Sequence, residues 1–228
     1  MADAPRDARQ DGSSAAPGYG PLDARERSEL CDLFLAVGPE APTLCEGWST
    51  LDLAAHLVVR EHDPRSGLAI LGGERFAKLE HSLMDGARSQ GYEHLVDRLR
   101  AGPPLVPWRL PLLRQALNLT EWFVHHEDVR RPAGEGPRSD RPDLDSTFWT
   151  ILRRTSRLMV RKVQGAGVAL DAPGFGELPA RGPGPSVRLT GGPQELLLYL
   201  NGRRIAARVD ITGPEEARAI VESAPLGF

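Results

Sequence analysis

The chain has 228 residues, 40% of them hydrophobic and 6% aromatic, with a formal net charge of -3. That is enough for one large domain or two small ones around a packed core, and it lacks the basic stripe of a nucleic-acid footprint. No apolar run approaches the roughly 18 residues of a membrane span, and the N-terminus has no signal-peptide core, so a cytoplasmic protein is expected.

Residues 1–20 are polar and rich in Ala, Gly, Ser and Asp, which predicts a disordered tail. A first helix is predicted over 22–37, with Leu30, Leu33, Phe34 and Val37 on one face and Gly38-Pro39 ending it. Ser49 and Asp52 have capping-box spacing and start a second helix that runs to about residue 61. Residues 73–101 read as helical with interruptions at Gly86 and Gly91, and place His81 and His94 at the surface among charges. A Pro-rich link at 102–107 leads into a long helix that starts near Leu112 and is stopped by Pro132. A fifth helix over 144–163 carries Phe148, Trp149, Leu152 and Leu158.

The texture then changes. From Gly165 the chain is rich in Gly and Pro, with short β-like runs at 168–170, 186–190 and 207–211. The 171–185 segment reads as a loop, PQELLLYL at 193–200 as a short helix ended by Asn201-Gly202, and 214–223 as a closing helix. The expected organisation is a tail at 1–20, a helical unit at 21–164 and a small α/β unit at 165–228. Lys78 and Lys162 are the only lysines, an Arg-rich usage that fits a GC-rich genome. Cys31 and Cys45 show neither CxxC spacing nor a disulfide framework and read as free thiols.

The long helix carries the most informative stretch, NLTEWFVHHEDVRRP at 118–132. Leu113, Ala116, Leu117, Thr120 and Val124 mark one buried face, and continuing it by three and four passes through Glu121 and His125. A carboxylate and an imidazole one turn apart on a core-facing stripe need a partner, and a metal ion would satisfy both. The same spacing also serves an ordinary exposed helix pair worth a few tenths of a kcal/mol. On the second helix Asp52, His56 and Arg60 lie four apart on one face. They read either as a cap, a satisfied core histidine and a solvated end, or as the source of a third ligand, His56, for Glu121 and His125. His126 points about 100° away from His125, toward packing or the surface. Glu127, Asp128, Arg130 and Arg131 form a charge run expected at a solvated helix end, where it could meet the C-terminal unit.

Gly47-Trp48-Ser49-Thr50 leading to Ala-Ala-His56-Leu, then Glu121-x-x-x-His125 before Glu-Asp-Val-Arg-Arg-Pro, then a terminal Glu-Leu-Leu-Leu-Tyr-Leu-Asn-Gly-Arg, together resemble the mycothiol-dependent maleylpyruvate isomerase family. That family belongs to the wider DinB-like metalloproteins; the resemblance covers about residues 22–212 and lies nearest an actinobacterial subgroup described as metal-binding. It implies an α+β fold, a DinB-like up-down four-helix bundle followed by a small C-terminal α/β domain. It implies a divalent metal held by His56, Glu121 and His125, zinc in the isomerase. It also places Arg203 of Leu200-Asn-Gly-Arg203 in the active site, with Arg204 one register step away.

Two imidazoles and one carboxylate suit zinc and leave a position open, and nickel or iron would accept the same ligands. An open site can lower the pKa of a bound thiol or polarise a carbonyl. The leading expectation is therefore a thiol-dependent transferase or isomerase, with mycothiol as cosubstrate, a small-molecule acceptor, and Arg60 and Arg203 gripping a carboxylate. Asp52 could orient a ligand, although capping alone explains it. A metal-binding protein without catalysis, structural or stress-related, and a metal-dependent hydrolase are the alternatives. Neither a nucleic acid nor a membrane is expected as partner, and a homodimer is allowed.

Overall fold

The computed structural model describes residues 20–65, 74–102 and 111–227. Among them six α-helices come first: α1 (Gly20–Val37), α2 (Thr50–His62), α3 (Glu74–Arg88), α4 (Tyr92–Ala101), α5 (Pro111–Arg130), which runs into a short 3-10 turn at Arg131–Ala133, and α6 (Pro142–Met159). Then follow β1 (Gly167–Ala172), β2 (Gly176–Arg181), β3 (Ser186–Thr190), α7 (Pro193–Leu200), β4 (Asp210–Thr212) and α8 (Glu215–Ser223). The architecture is α+β, with one mixed sheet of order β2-β1-β3-β4. β1 runs antiparallel to β2 and parallel to β3, and β3 antiparallel to β4. No helix among the described residues is long and apolar enough to cross a membrane. Of the predicted tail at 1–20, residues 1–19 lie outside the described residues while Gly20 begins the first helix; of the predicted link at 102–107, residues 103–107 lie outside them.

The capping box forms as its spacing requires. The Asp52 amide donates to Ser49 Oγ at 3.4 Å while the Ser49 amide donates to Asp52 Oδ2 at 2.8 Å, a cap worth about 1 kcal/mol. It fixes where α2 begins and so which face carries Leu53, Leu57 and Val58 inward. α2 packs on α3 and α4, and α1 packs on α5 and α4. Their shared core is built from Leu30, Phe34, Leu53, Leu57, Leu95, Leu99 and Trp122.

A second core joins α6 to the sheet and α7, through Phe148, Leu152, Val168, Leu189 and Leu196 among others. α7 is buried along all 8 of its residues, which is why its sequence is apolar nearly all round. α5 feeds both cores: Trp122 and Val129 enter the first, Leu119, Phe123 and Val124 the second. Its polar stripe therefore surfaces along the seam between them.

Several expectations change, among them the strand expected over 207–211, which is β4 at Asp210–Thr212, and the helix expected over 144–163, which ends at Met159. The 171–185 stretch contains a strand, β2, and its Pro179 is accommodated because β2 is an edge strand. The break in the 73–101 region falls at 89–91, between α3 and α4, while Gly86 continues α3. Val37 is exposed at the end of α1, one turn past the last core residue, Phe34. The charge run after His126 is largely buried and not solvated: Glu127 and Asp128 are both 0% exposed.

That burial is supported by ion pairs. Arg131 Nε donates to Glu127 Oε2 at 2.5 Å, Nη2 to Glu195 Oε1 at 2.6 Å and Nη1 to the Ala206 carbonyl at 3.0 Å. One guanidinium thus ties the end of α5 to α7 and to the segment after it. Arg131→Ala would leave two buried carboxylates short of a partner, and a loss of about 3–5 kcal/mol is expected in urea unfolding. Arg25→Ala, which breaks an exposed pair with Glu29, is expected to cost less than about 1 kcal/mol in the same assay.

Candidate metal centre

α2 supplies His56 and α5 supplies Glu121 and His125, the last two one turn apart as the spacing requires. One donor atom from each lies within 4.8 Å of the other two. His125 Nε2 stands 3.1 Å and His56 Nε2 3.9 Å from Glu121 Oε1. The two imidazole rings lie edge to face with centroids 5.5 Å apart. Trp48, just ahead of the α2 cap, packs on His56 with ring centroids 5.1 Å apart and limits where that ring can turn. His125 is buried, whereas His56 and Glu121 remain partly exposed, so the group is reachable from one side.

Asp128, one turn further along α5, stands behind His125. His125 Nδ1 lies 2.8 Å from Asp128 Oδ2. Both carboxylates only accept, so the imidazolium donates from Nδ1 to Asp128 and from Nε2 to Glu121. When one proton is given up, the shorter bond to Asp128 keeps Nδ1 protonated and leaves Nε2 as the free nitrogen facing Glu121 and His56. Asp128 is itself gripped by Arg203, with Nε donating to Oδ1 at 2.8 Å and Nη2 to Oδ2 at 2.6 Å. The Cys45 thiol donates to the same Oδ2 at 3.3 Å. Burial works against the charge on Asp128, yet hydrogen bonds from Arg203 and His125 hold its carboxyl down at about 2. Burial also opposes the charge on Glu121, and bonds from His125 and His56 together with the Arg60 charge outweigh it, leaving the carboxyl well below its ordinary range. For His125 burial disfavours the imidazolium, but bonds to Asp128, Cys45 and Glu121 raise its pKa well above the ordinary 6.5.

The end of α7 explains how Arg203 arrives. The Gly202 amide donates to the Tyr199 carbonyl and the Arg203 amide to the Leu198 carbonyl, each at 3.0 Å, the paired bonds of a Schellman cap. Gly202 takes a φ of 86°, which a residue without Cβ adopts at no steric cost. The chain reverses there and turns Arg203 back toward α5. Arg204 turns away, donating to the Glu222 and Ala224 carbonyls. Arg60, one turn beyond His56, stands with Nε 3.2 Å from Glu121 Oε1. Asp52 meets Ser49 and Arg88 and not the histidines, so capping is its role here.

Two further groups have metal-competent donors, Cys45/His125/Asp128 and Glu26/Glu29/His126. Each already encloses a cation. Arg203 occupies the first, while Arg138 and Arg141 reach Glu26 at 3.0 and 3.1 Å in the second. His126 is accordingly buried against Glu26, with Nδ1 3.1 Å from Oε2. The His56/Glu121/His125 group fits a divalent ion better: two nitrogens and one carboxylate oxygen, with a buried aspartate fixing the tautomer of one histidine. Asp128 could have been found from its i+3 spacing to His125. Cys45 could not, because 83 residues separate it from Asp128 and only the tertiary fold joins them.

Fold and site together define an α+β protein with a candidate metal centre between α2 and α5. Two solved structures share that fold: the crystal structure of the mycothiol-dependent maleylpyruvate isomerase, at a TM-score of 0.52 and 19% identity, and that of a histidine-to-alanine mutant of it, at 0.54 and 18%. Each comparison covers 85% of this chain and 90% of the other, and at these identities the likeness is one of fold. No protein-family model matches the chain, and no curated protein matches it in sequence.

The raised His125 pKa carries a pH signature. In chelator-treated protein the charged imidazolium contributes stability that is fully present below the unfolded value of about 6.5 and is lost as pH rises through the folded value. The urea midpoint is therefore expected to fall above about pH 6.5, and His125→Gln to flatten that limb. An unchanged slope in the variant would contradict the assignment.

Proposed function

We propose that the chain is a divalent-metal protein in which His56, Glu121 and His125 hold the ion, zinc being the best fit to the donors. We further propose that it acts on small molecules as a thiol-dependent transferase or isomerase-like enzyme, with a thiol such as mycothiol as cosubstrate. The supporting observation is the convergence of those three donors, with His125 Nε2 turned into the group by Asp128. The setting in this proposal is a DinB-like up-down bundle over 21–164, with the unit at 165–228 reaching the site through Arg203.

His56, Glu121 and His125 would hold the ion, and a zinc ion held there would supply a lowered pKa to a thiol brought to it. The chain's own residues do the rest. Asp128 holds the proton of His125 at Nδ1, and Trp48 limits the turn of His56. Arg60, partly exposed beside Glu121, is the guanidinium placed to meet an anionic group on a ligand entering from solvent. The two mycothiol-dependent neighbours favour a thiol over water as the group brought to the site. A centre that serves the fold alone is the second reading, favoured by the full engagement of Arg203 with protein groups.

Metal content of tag-free protein should be about one equivalent of a divalent ion, lost in both His56→Ala and His125→Ala. Mass spectrometry of the purified proteins reads this directly, and equal content in the variants would sink the three-residue site. Metal binding should also displace the proton that His125 carries in the metal-free state, so titration calorimetry in buffers of different ionisation enthalpy should show proton release. Loading the metal without any gain of thiol-dependent turnover on electrophilic acceptors would leave the structural reading in place of the enzymatic one.

A further inference from the structure

We infer that Arg203 is a positioning residue for the metal centre: it acts through Asp128 on His125, so that the segment after α7 sets how tightly the ion is held. This rests on the metal reading above and goes beyond it, because Arg203 belongs to neither ligand helix and touches none of the three ligands through the bonds it makes.

All three guanidinium nitrogens are engaged by the protein. Nε and Nη2 form the fork on Asp128 at 2.8 and 2.6 Å, and Nη1 donates to the Asn201 carbonyl at 2.8 Å. A guanidinium held this way is poorly placed to grip a substrate carboxylate and well placed to hold a buried one. Asp128 has no exposed surface. Its Oδ2 gathers Arg203 Nη2 at 2.6 Å, His125 Nδ1 at 2.8 Å and Cys45 Sγ at 3.3 Å. With the guanidinium in place the carboxylate sits in a fixed plane and presents one lone pair to His125. Without it, only the histidine and the thiol are left to hold a buried charge, and nothing fixes the plane of the carboxylate. Nε2 would then no longer be aimed at His56 and Glu121.

The backbone is built to hold Arg203 there. The Schellman cap at Gly202 sets its direction. Arg131 binds the Ala206 carbonyl at 3.0 Å, and the Arg208 amide donates to Glu195 Oε2 at 2.6 Å, so the segment is anchored beyond Arg203 as well as at the cap before it. On the α5 side, the Leu44 amide donates to the Asp128 carbonyl at 2.9 Å and brings Cys45 alongside. Residues 45, 128 and 203 thus come from three distant parts of the chain to serve one imidazole. Because coupling is reciprocal, zinc should also protect the 201–208 amides from hydrogen exchange, although that segment supplies no ligand.

The test is zinc affinity of the full chain, measured by competition with a chromophoric chelator, beside the melting temperature of the chelator-treated protein. Arg203→Ala and Asp128→Asn should each weaken zinc binding by about 10–100-fold, as loss of a ligand-orienting partner does. The double variant should bind no more weakly than the weaker single one, since both act on His125 through one path. Arg203→Lys, which keeps the charge and loses the fork, should fall between, and carries the test where Arg203→Ala does not fold. Arg204→Ala should bind zinc as the wild type does. A structural role alone would lower the melting temperature and leave the affinity of the folded protein unchanged. Equal affinity in Arg203→Ala, or losses that multiply in the double variant, overturns this inference and leaves the metal site standing. A wild type that binds no zinc overturns the proposed function, and this inference with it.

Discussion

A fully buried, ionised carboxylate makes heavy demands on the residues around it, and Asp128 is such a group. An unpaired charge in such a place would be neutralised or would unfold its surroundings, so the donors around it are obligatory. They come from the α5 helix itself, from the loop before α2 and from the turn after α7. Folding around this oxygen pair therefore does two things at once. It brings together segments far apart in sequence, and it leaves His125 with a defined tautomer facing a glutamate and a second histidine. The site geometry is a by-product of satisfying that charge.

The same logic recurs along α5. Its two apolar flanks feed separate cores, and the polar residues between them are forced into the seams. On one seam lie Glu121, His125 and Asp128. Another holds His126 against Glu26, with Arg138 and Arg141 completing the group. Glu26 is held below its ordinary range: burial works against ionisation, and His126 and Arg138 more than offset that. Further on, Glu127, Arg131 and Glu195 join α5 to α7. Buried ion pairs of this kind are weak evidence for added stability, but breaking one is costly, which makes them good determinants of a single packing arrangement. Two such groups enclose arginines. The first seam brings His56 and His125 to Glu121, which Arg60 also meets at 3.2 Å, and its two imidazoles and carboxylate are donors suited to a metal.

Much of this was legible in the sequence where the signal was local. PQELLLYL, with Pro at the start and Asn-Gly at the end, forms α7 over the residues its pattern indicates. The 186–190 strand, the Ser49/Asp52 cap and the one-turn spacing of Glu121 and His125 were equally readable, because each depends on a few neighbouring residues. What failed depended on tertiary contacts. GELPAR has no strand pattern of its own; it becomes β2 only because β1 offers an edge. A charge run such as Glu127–Arg131 is solvated on most helices. Here its partners come from the loop before α2, the segment ahead of α6, α7 and the turn beyond α7, none of which is visible from the run itself. Arg203 was singled out only through the family resemblance, and its attachment to Asp128 depends on a turn 75 residues away in the chain.

The most direct test of the account is where an ion sits. Anomalous scattering from a crystal of the zinc-loaded chain should place a single peak about 2.0–2.2 Å from a nitrogen of His56, Nε2 of His125 and a carboxylate oxygen of Glu121. Asp128 should still be on His125 Nδ1 and Arg203 still on Asp128. A peak bonded instead to Cys45, Asp128 or His125 Nδ1, with Arg203 displaced, would contradict the central claim, because the group now read as the brace of the site would then be its metal ligand.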